Sequence, residues 1–216
     1  MIEKKFVMSF SGGKDSTLAL YRMIKSGYEP VALLTAVRKN EDESWTHGIS
    51  YGFLDLISES LNIPILKSEC NVYEYEDVFE KTLLIAKEMG ASICVFGDID
   101  IEDHKKWGVD RCTNVNMHAM FPLWQEDREK LVYEFIDSGF KTIINKVNLS
   151  NLCEEYLGKI LTKEVVKNIK ETGSDPCGEN GEYHTFVFDG PIFNKKINFE
   201  VEGKLIENGY GHLCVK

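Results

Sequence analysis

The sequence has no excess of basic residues and no long apolar run. It carries 25 Lys and Arg against 35 Asp and Glu over 216 residues, a formal net charge of −10. Nucleic-acid backbones are bound largely through Lys and Arg, so this balance weakens any function built on nucleic acid. No stretch approaches the roughly 20 apolar residues that a membrane helix needs, and no signal-peptide pattern is present. We therefore expect a cytoplasmic protein that has neither a membrane nor a nucleic acid as its partner.

The sequence also lacks any pair of cysteines separated by two residues. This spacing excludes a zinc framework and a thioredoxin-like redox pair, and it favours thiols in a reducing compartment. Apolar residues make up 43% of the chain and charged residues 28%, a globular composition that excludes a disordered chain or a coiled coil. The six scattered cysteines are Cys70, Cys94, Cys112, Cys153, Cys177 and Cys214.

Apolar runs of strand length alternate with segments of helical period along most of the chain. Phe6–Phe10 and Val31–Val37 are typical of buried strands, and Ser16–Lys25 between them has helical spacing. This alternation predicts an α/β fold with a parallel sheet of the five-stranded type and helices on both faces. Such a sheet binds ligands beyond the carboxyl ends of its strands, at the point where the strand order reverses.

The C-terminal part of the sequence has a different character. Ser150–Lys170 has a helical pattern, Gly173–His184 is a loop rich in Gly and Glu, and Thr185–Lys216 contains short strand candidates. We therefore expect residues 1–146 to form the α/β domain and residues 147–216 to form a small α+β lobe.

A glycine-rich loop, Ser11–Ser16, joins the first predicted strand to the first predicted helix. Its adjacent glycines, Gly12 and Gly13, permit a nest of backbone N–H groups that binds an anion, and the helix behind the loop adds partial positive charge. Lys14 and the two flanking serines offer further donors. Asp15 suits a phosphate site when a cation such as Mg²⁺ lies between; the alternative is that it stabilises the loop locally. The loop predicts a phosphate site; the alternative is an ordinary tight turn with a helix cap.

A short acidic loop late in the chain carries a second set of polar residues. Glu179 and Glu182 flank the amide of Asn180, and glycines on either side allow a compact loop. Two carboxylates on such a loop are suited to bind a cationic group or to orient ammonia. The alternative is a solvated acidic turn that leads into a hairpin.

The hexapeptide Ser11–Ser16 is similar to the pyrophosphate-binding loop of the N-type ATP pyrophosphatases. The resemblance implies an adenine nucleotide alpha hydrolase-like, Rossmann-like fold and cleavage of ATP between its α- and β-phosphates. An oxygen of the substrate would capture AMP, and nitrogen or sulfur would then attack the adenylate. Lys14 would neutralise the departing pyrophosphate, and Asp15 would help to hold Mg²⁺.

Motifs further along narrow the resemblance to the diphthine–ammonia ligase family. Its signature Gly-Glu-x-Gly-Glu-x-x-Thr matches Gly178–Thr185, and Asp-x-Pro-x-Phe matches Asp189–Phe193. The family joins ammonia to the carboxylate of diphthine on elongation factor 2 and forms AMP and pyrophosphate. The resemblance implies that residues 1–146 bind ATP and Mg²⁺ and that residues 147–216 bind the substrate. By position, the family's site corresponds to Ser11–Ser16, His47, Gly97 and Asp98 on the nucleotide side and to Glu179, Asn180 and Glu182 on the acceptor side.

One segment departs from the family pattern. Where diphthamide-forming members carry a Ser-x-Tyr-Gln element followed by an Arg and a Glu, this chain has Ile101–Cys112. The acceptor therefore stays open between diphthine on elongation factor 2 and the carboxylate of a small metabolite. Within the segment, Glu102 and Asp103 are either substrate-binding residues or an acidic pair at the start of a helix.

These observations predict an ATP-dependent, AMP-forming carbon–nitrogen ligase that uses ammonia to turn a carboxylate into an amide. A tRNA-sulfur transferase with the same adenylation chemistry is the first alternative, although it would favour a basic surface and paired reactive cysteines. A non-catalytic module that binds and senses ATP is the second alternative.

Overall fold

The computed structural model describes residues 4–39 and 51–216. It contains two compact units. The units are Met1–Ser11 with Asp15–Gln125, and Gly12–Lys14 with Glu126–Lys216.

Parallel strands and helices alternate in the first unit. Its strands are β1 (Lys5–Ser9), β2 (Glu29–Arg38), β3 (Ile65–Cys70), β4 (Ile93–Val95) and β5 (His118–Met120). Its helices are α1 (Lys14–Lys25), α2 (Tyr51–Leu61), α3 (Tyr75–Glu88) and α4 (Glu102–Asn114). Within the described residues the strands form one five-stranded sheet in the order β3-β2-β1-β4-β5, and every neighbouring pair is parallel. The predicted α/β fold is confirmed.

The parallel sheet is buried on both faces, as its nearly continuous apolar strands predicted. On one face, Val7 of β1 and Ala32 of β2 belong to the same core as Phe79 and Leu83 of α3 and Cys112 of α4. The right-handed rule for crossovers between parallel strands predicts α1 and α2 on the opposite face. The sheet therefore forms the middle layer of this unit.

The strand order reverses between β1 and β4. The chain extends the sheet from β1 to β2 and β3 on one side, and then returns to β4 and β5 on the other side. The loops that follow β1 and β4 therefore leave the sheet side by side at its carboxyl edge, where sheets of this kind bind ligands.

The second unit is built on an antiparallel sheet. Its strands are β6 (Lys141–Asn148), β7 (Tyr183–Asp189), β8 (Val201–Glu207) and β9 (Tyr210–Val215), and its helices are α5 (Arg128–Asp137) and α6 (Lys163–Glu171). The order is β7-β6-β9-β8, with every neighbouring pair antiparallel. This confirms the small α+β arrangement predicted for the C-terminal region.

The units divide between Gln125 and Glu126, whereas the sequence suggested a boundary between residues 146 and 147. The physical reason is that β6 pairs with both β7 and β9 and is therefore internal to the second sheet. The alternation of helix and strand continues through α5 and β6, so the sequence pattern assigned both elements to the first domain.

The helix predicted over Ser150–Lys170 is wrong for most of that range. Ile160 forms an antiparallel bridge with Ile143 of β6, and the backbone N–H of Leu161 donates to the carbonyl oxygen of Thr142 at 3.0 Å. Thr162 then begins the helix, because its hydroxyl accepts a hydrogen bond from the backbone N–H of Val165 at 3.3 Å. Hydrogen bonds between residues 158–161 and β6 therefore override the helical pattern just before α6 begins, and earlier in the range only Glu154–Tyr156 forms a short 3-10 helix.

No helix within residues 4–39 and 51–216 is both long enough and apolar enough to cross a membrane. The six cysteines all lie inside these ranges and form no disulfide bond there.

Candidate functional site

The loop Ser11–Ser16 leaves β1 at the edge where the strand order reverses. Within the first unit, the hydroxyl oxygens of Ser11 and Ser16 lie 3.1 Å apart, so a hydrogen bond joins the two ends of the loop. Helix α1 begins at Lys14, and Asp15 therefore lies in its first turn. The partial positive charge of a helix is greatest there, which suits the phosphate site that the loop predicts.

Gly97 allows the loop after β4 to approach the start of α1. A Cβ atom at Gly97 would lie 2.8 Å from the backbone nitrogen of Ser16 and 3.0 Å from the backbone carbonyl carbon of Asp15. Both atoms belong to the backbone and cannot move as a flexible side chain would. The structure therefore brings Gly97 directly against the predicted phosphate loop, although the two lie far apart in sequence.

Asp98 follows Gly97 and carries a perturbed carboxyl group. Burial raises the pKa of Asp98, the neighbouring His104 lowers it, and the charge of Asp15 raises it. The His104 Nδ1 atom lies 3.2 Å from the Asp98 Oδ1 atom. Two carboxylates that repel each other, Asp15 and Asp98, are thus found beside the same loop.

The residues around this loop suit a divalent cation. A cation near Asp15 would relieve the repulsion that contributes to the raised pKa of Asp98. Mg²⁺ prefers oxygen ligands, commonly one or two carboxylates together with substrate phosphates. Carboxylate oxygens of this kind are compatible with Mg²⁺, and the role of Asp15 in holding the ion stays a prediction.

The predicted roles of Glu102 and Asp103 are not tested by the structure. Glu102 and Asp103 are exposed in the first turn of α4, and the preceding Ile101 supplies no side-chain cap. Acidic residues in this position stabilise a helix through its dipole. Their contact with a substrate stays a prediction. His47 lies outside the described residues.

In the second unit, Gly12–Lys14 lies against β7. The backbone N–H of Val187 donates to the carbonyl oxygen of Gly12 at 3.0 Å, and the backbone N–H of Lys14 donates to the hydroxyl of Thr185 at 3.0 Å. Gly12 has a φ of +80°, a left-handed conformation that favours glycine. Backbone and hydroxyl groups of a distant strand thus fix the middle of the loop.

Lys14 is the buried cation of the loop. Its residue is only 5% exposed, and its Nζ atom lies 5.6 Å from the centre of the Tyr183 ring. Burial of an ammonium group costs free energy, which the face of an aromatic ring offsets in part. An ammonium group held in this way is suited to receive the oxygens of a phosphate.

Glu182 organises the acidic loop from the inside. It is only 3% exposed, and its Oε1 atom accepts hydrogen bonds from the backbone N–H of Asp175 and from the amide of Asn180, both at 3.1 Å. Its Oε2 atom accepts from the backbone N–H of Asn180 at 3.0 Å. Glu179 is half-buried instead. The two acids predicted for the acceptor side therefore differ: Glu182 faces its own loop, and Glu179 is the more accessible carboxylate.

Sequence reasoning missed Asp175 and Arg128, which brace the acidic loop. Asp175 accepts hydrogen bonds from the backbone N–H groups of Cys177 at 2.9 Å and Glu179 at 3.2 Å. Arg128 donates to Asp175 at 2.6 Å and to the side-chain oxygen of Asn180 at 3.3 Å. The Asp-Pro dipeptide is a turn signal that could have marked Asp175. No local signal marks Arg128, which lies on α5.

Comparison with known proteins finds matches for both halves of the chain. The family model of the diphthamide synthase N-terminal domain matches residues 4–119, and that of the diphthamide synthase C-terminal domain matches residues 127–216. A diphthine–ammonia ligase of Mus musculus is 30% identical over 213 residues, which cover 87% of this chain and 79% of the relative. A diphthine–ammonia ligase of Homo sapiens is 29% identical with the same coverage.

Among solved structures, a protein described as a predicted subunit of tRNA methyltransferase from Methanocaldococcus jannaschii aligns with a TM-score of 0.46 and 19% identity, over 89% of this chain and 99% of that one. The two family matches leave only a short gap between them, and the division between the compact units falls inside it. Because these matches together extend over nearly the whole sequence, the chain belongs to the diphthamide synthase family.

Proposed function

We propose that this chain is an ATP-dependent ligase that joins ammonia to a carboxylate and releases AMP and pyrophosphate. The family match over both halves of the chain supports the proposal, and the relatives carry the name diphthine–ammonia ligase. The same match favours ligation over the transfer of sulfur to tRNA and over ATP binding without turnover. The cytoplasmic location stays a prediction.

One structural relationship carries the ATP-binding part of the proposal. The loop Ser11–Ser16 and Gly97 meet at the carboxyl edge of the parallel sheet, where a Cβ atom at Gly97 would come within 2.8 Å of the Ser16 backbone. Nucleotides bind at this edge in sheets whose strand order reverses. The first turn of α1 adds N–H groups and positive potential for phosphate oxygens.

In the proposed reaction, an oxygen of the acceptor carboxylate attacks the α-phosphorus of ATP, and the bond from that phosphorus to the departing pyrophosphate breaks. The Lys14 ammonium group and the N–H groups of the loop stabilise the negative charge that develops on the pyrophosphate. Ammonia then attacks the carbonyl carbon of the acyl adenylate. AMP leaves with the electrons of the carbon–oxygen bond, and the nitrogen loses a proton to give the amide.

Mg²⁺ is part of the same proposal. Asp15 would hold it at the start of α1, close to Asp98. A cation bound there would neutralise part of the negative charge of the phosphates. The remaining stabilisation of the pyrophosphate comes from Lys14 and the N–H groups of the loop.

The acceptor side is proposed to use the acidic loop. Glu179 and Asn180 would contact the acceptor or ammonia, while Glu182 would hold the loop in shape through the three hydrogen bonds that it accepts. The name of the relatives makes diphthine on elongation factor 2 the first acceptor to test. The departure of Ile101–Cys112 from the family pattern makes small carboxylates the second.

The test is a product assay with and without ammonium. Purified protein is incubated with ATP, Mg²⁺ and either diphthine-bearing elongation factor 2 or a panel of small carboxylates, and nucleotides are identified by mass spectrometry. The proposal predicts AMP and pyrophosphate in equal amounts, with amide formation that requires ammonium. Formation of ADP, or intact ATP with every acceptor, would contradict it.

A matched pair of variants separates the loop from general charge effects. Lys14→Ala removes the buried cation of the loop and should abolish AMP formation. Lys141→Ala removes an exposed lysine of β6 whose partner is Asp189 at 3.0 Å, and it should leave AMP formation unchanged. Equal activity of the two variants would remove Lys14 from the proposed role.

A further inference from the structure

Asp98 and His104 form a pair of carboxylate and imidazole at the carboxyl edge of the parallel sheet. The His104 Nδ1 atom lies 3.2 Å from the Asp98 Oδ1 atom. Asp98 lies in the loop between β4 and α4, next to Gly97, which approaches the start of α1. His104 lies in the first turn of α4. Both residues therefore belong to the first unit, at the edge where such sheets bind ligands.

The two side chains of this pair differ in exposure. The Asp98 side chain is 25% exposed, whereas the His104 side chain is 59% exposed. Because the carboxylate accepts a hydrogen bond from Nδ1–H, it favours the tautomer of the imidazole whose Nε2 atom carries a lone pair. The inner acid thus orients the ring, and the opposite nitrogen points away from the acid. A carboxylate and an imidazole form a general base in this arrangement.

Backbone hydrogen bonds fix the segments that carry the pair. Ile99 is fully buried, and its carbonyl oxygen accepts from the backbone N–H of Gln125 at 2.6 Å. The backbone N–H of His104 donates to the carbonyl oxygen of Ile101 at 3.1 Å. A proton is transferred only between groups within hydrogen-bonding distance, so a general base must be held in position. The loop after β4 and the first turn of α4 meet this requirement.

The other ionisable groups around Asp98 are less suited to accept a proton. Burial, with smaller contributions from the charges of Cys70 and Asp98, raises the pKa of Tyr75 on α3 to about 12. A phenol of this kind stays protonated near neutral pH, and Cys70 is fully buried. Asp15 acts on the carboxyl group of Asp98, and it is already proposed to hold Mg²⁺. His104 is therefore the basic group of this cluster that reaches the surface.

The proposed reaction includes a proton transfer that no residue has yet been assigned to accept. Ammonia adds to the carbonyl carbon of the acyl adenylate and gives a tetrahedral adduct with a cationic nitrogen. A base that takes a proton from this nitrogen favours the departure of AMP over the return of ammonia. The step therefore needs a proton acceptor beside the adenylate, which forms where the nucleotide binds.

We infer that His104 is the general base of the amide-forming step and that Asp98 is the residue that positions it. This role rests on the proposed function and deepens it. The His104 Nε2 atom takes a proton from the attacking nitrogen as the carbon–nitrogen bond forms. The electrons of the carbon–oxygen bond leave with AMP, and the exposed ring then passes the proton to water. His104 lies in Ile101–Cys112, the segment that departs from the family pattern, so the family motifs did not indicate it.

The two half-reactions distinguish a general base from a structural residue. Adenylation is measured as the exchange of labelled pyrophosphate into ATP without ammonium, and amide formation is measured by mass spectrometry with ammonium chloride. The acceptor is diphthine-bearing elongation factor 2 or the panel of small carboxylates. His104→Asn keeps an N–H group near the position of Nδ1 and removes the base. It should lower the rate of amide formation about 10²–10⁴-fold, the usual contribution of a general base, and leave pyrophosphate exchange unchanged.

The matched control is His118→Asn, which makes the same substitution at an exposed histidine of β5. It should leave the rates of both half-reactions unchanged. Amide formation by His104→Asn at the rate of the parent would overturn the inference. Equal losses of amide formation and of pyrophosphate exchange would also overturn it, because they would indicate a structural role.

Two rescue experiments test the chemistry of the missing base. Imidazole added to His104→Ala replaces the lost group and should restore part of the amide formation. Hydroxylamine is less basic than ammonia, so its adduct loses a proton more readily. His104→Asn should therefore form the hydroxamate with a smaller defect than the amide. Absence of both effects would overturn the inference.

Failure of this inference is distinguishable from failure of the proposed function. If the parent exchanges pyrophosphate and forms the amide, and His104→Asn does so equally well, the function holds and His104 is not its base. If the parent releases no AMP with any acceptor, the proposed function fails, and the assignment of His104 fails with it.

Discussion

The backbone N–H of Lys14 donates a hydrogen bond to the side-chain hydroxyl of Thr185 at 3.0 Å, across 171 positions of sequence. This contact is buried, and it holds the middle of the phosphate loop against β7. The amide of Lys14 is therefore already occupied, and its side chain is the part that is suited to meet a phosphate. The shape of the loop depends on a residue that belongs to a different motif.

Thr185→Val removes the acceptor of that bond while keeping the volume of the side chain. A buried N–H group left without its partner costs about 1–3 kcal/mol, so the free energy of unfolding should fall by that amount and the KM for ATP should rise. Thr185→Ser keeps the hydroxyl and should stay close to the parent in KM. Urea unfolding and steady-state kinetics measure both effects; a Val variant with the kinetics of the Ser variant would show that this bond does not shape the loop.

Gly97→Ala should damage the site through the backbone. Its Cβ atom would come within 2.8 Å of the backbone nitrogen of Ser16, and overpacking of this kind costs about 1–3 kcal/mol. We expect lower stability together with a loss of AMP formation, since α1 must move away from the loop after β4. Gly203→Ala is the control, because a Cβ atom there meets nothing within 4 Å. Normal AMP formation by Gly97→Ala would contradict the close packing of Gly97 against the start of α1.

The two acids of the acidic loop should respond differently to the same change. Glu182→Gln replaces an oxygen that accepts hydrogen bonds by an amide that donates them, so stability should fall by about 1–3 kcal/mol along with activity. Glu179→Gln alters the more accessible carboxylate and should lower acceptor-dependent activity with little change in stability. Thermal unfolding and the product assay distinguish the two. A Glu182 variant as stable as the Glu179 variant would remove the positioning role of Glu182.

His184 should make stability depend on pH in the acidic range. Its pKa is lowered from 6.5 to about 4 in the folded protein, so the unfolded chain binds its proton first. The contribution of the neutral imidazole to the free energy of unfolding is therefore complete above about pH 6.5, and it is lost as the pH falls towards 4. This shift in pKa corresponds to a contribution of about 3 kcal/mol to the free energy of unfolding.

Urea unfolding across this pH range gives the free energy of unfolding as a function of pH for the parent and for His184→Gln. The effect is the difference between the two slopes of these plots. His184→Gln should flatten the fall in stability below neutral pH. His118→Gln, at an exposed histidine, should leave the slope of the parent unchanged. Identical slopes for all three proteins would mean that His184 is not held neutral in the fold.

The order and type of the elements of the first unit could be predicted from sequence, because buried parallel strands are continuously apolar and helices show their period locally. The phosphate loop Ser11–Ser16 could also be predicted, because its glycines and its lysine are neighbours in the sequence and lie directly between a strand and a helix. Gly97 was predicted from its position in a family motif. The physical reason for a glycine there is the close approach to the backbone of Ser16, which could be seen only once the order of the strands was known.

What the sequence could not supply depends on pairing between distant segments. Ile160 continues a helical pattern but pairs with Ile143, and the alternation that placed β6 in the first domain says nothing about its partners. The acidic pattern of the loop does not distinguish Glu182, which faces inward, from Glu179. Lys146, His184 and His212 come together only through the register of three strands, so they appear in the sequence as unrelated single residues.

The most direct measurement is a crystal structure of the protein with a non-hydrolysable ATP analogue and Mg²⁺. The account predicts that the two outer phosphoryl groups lie against Ser11–Ser16, within hydrogen-bonding distance of the Lys14 ammonium group. An analogue bound elsewhere, with the loop closed or holding a group without phosphorus, would contradict it.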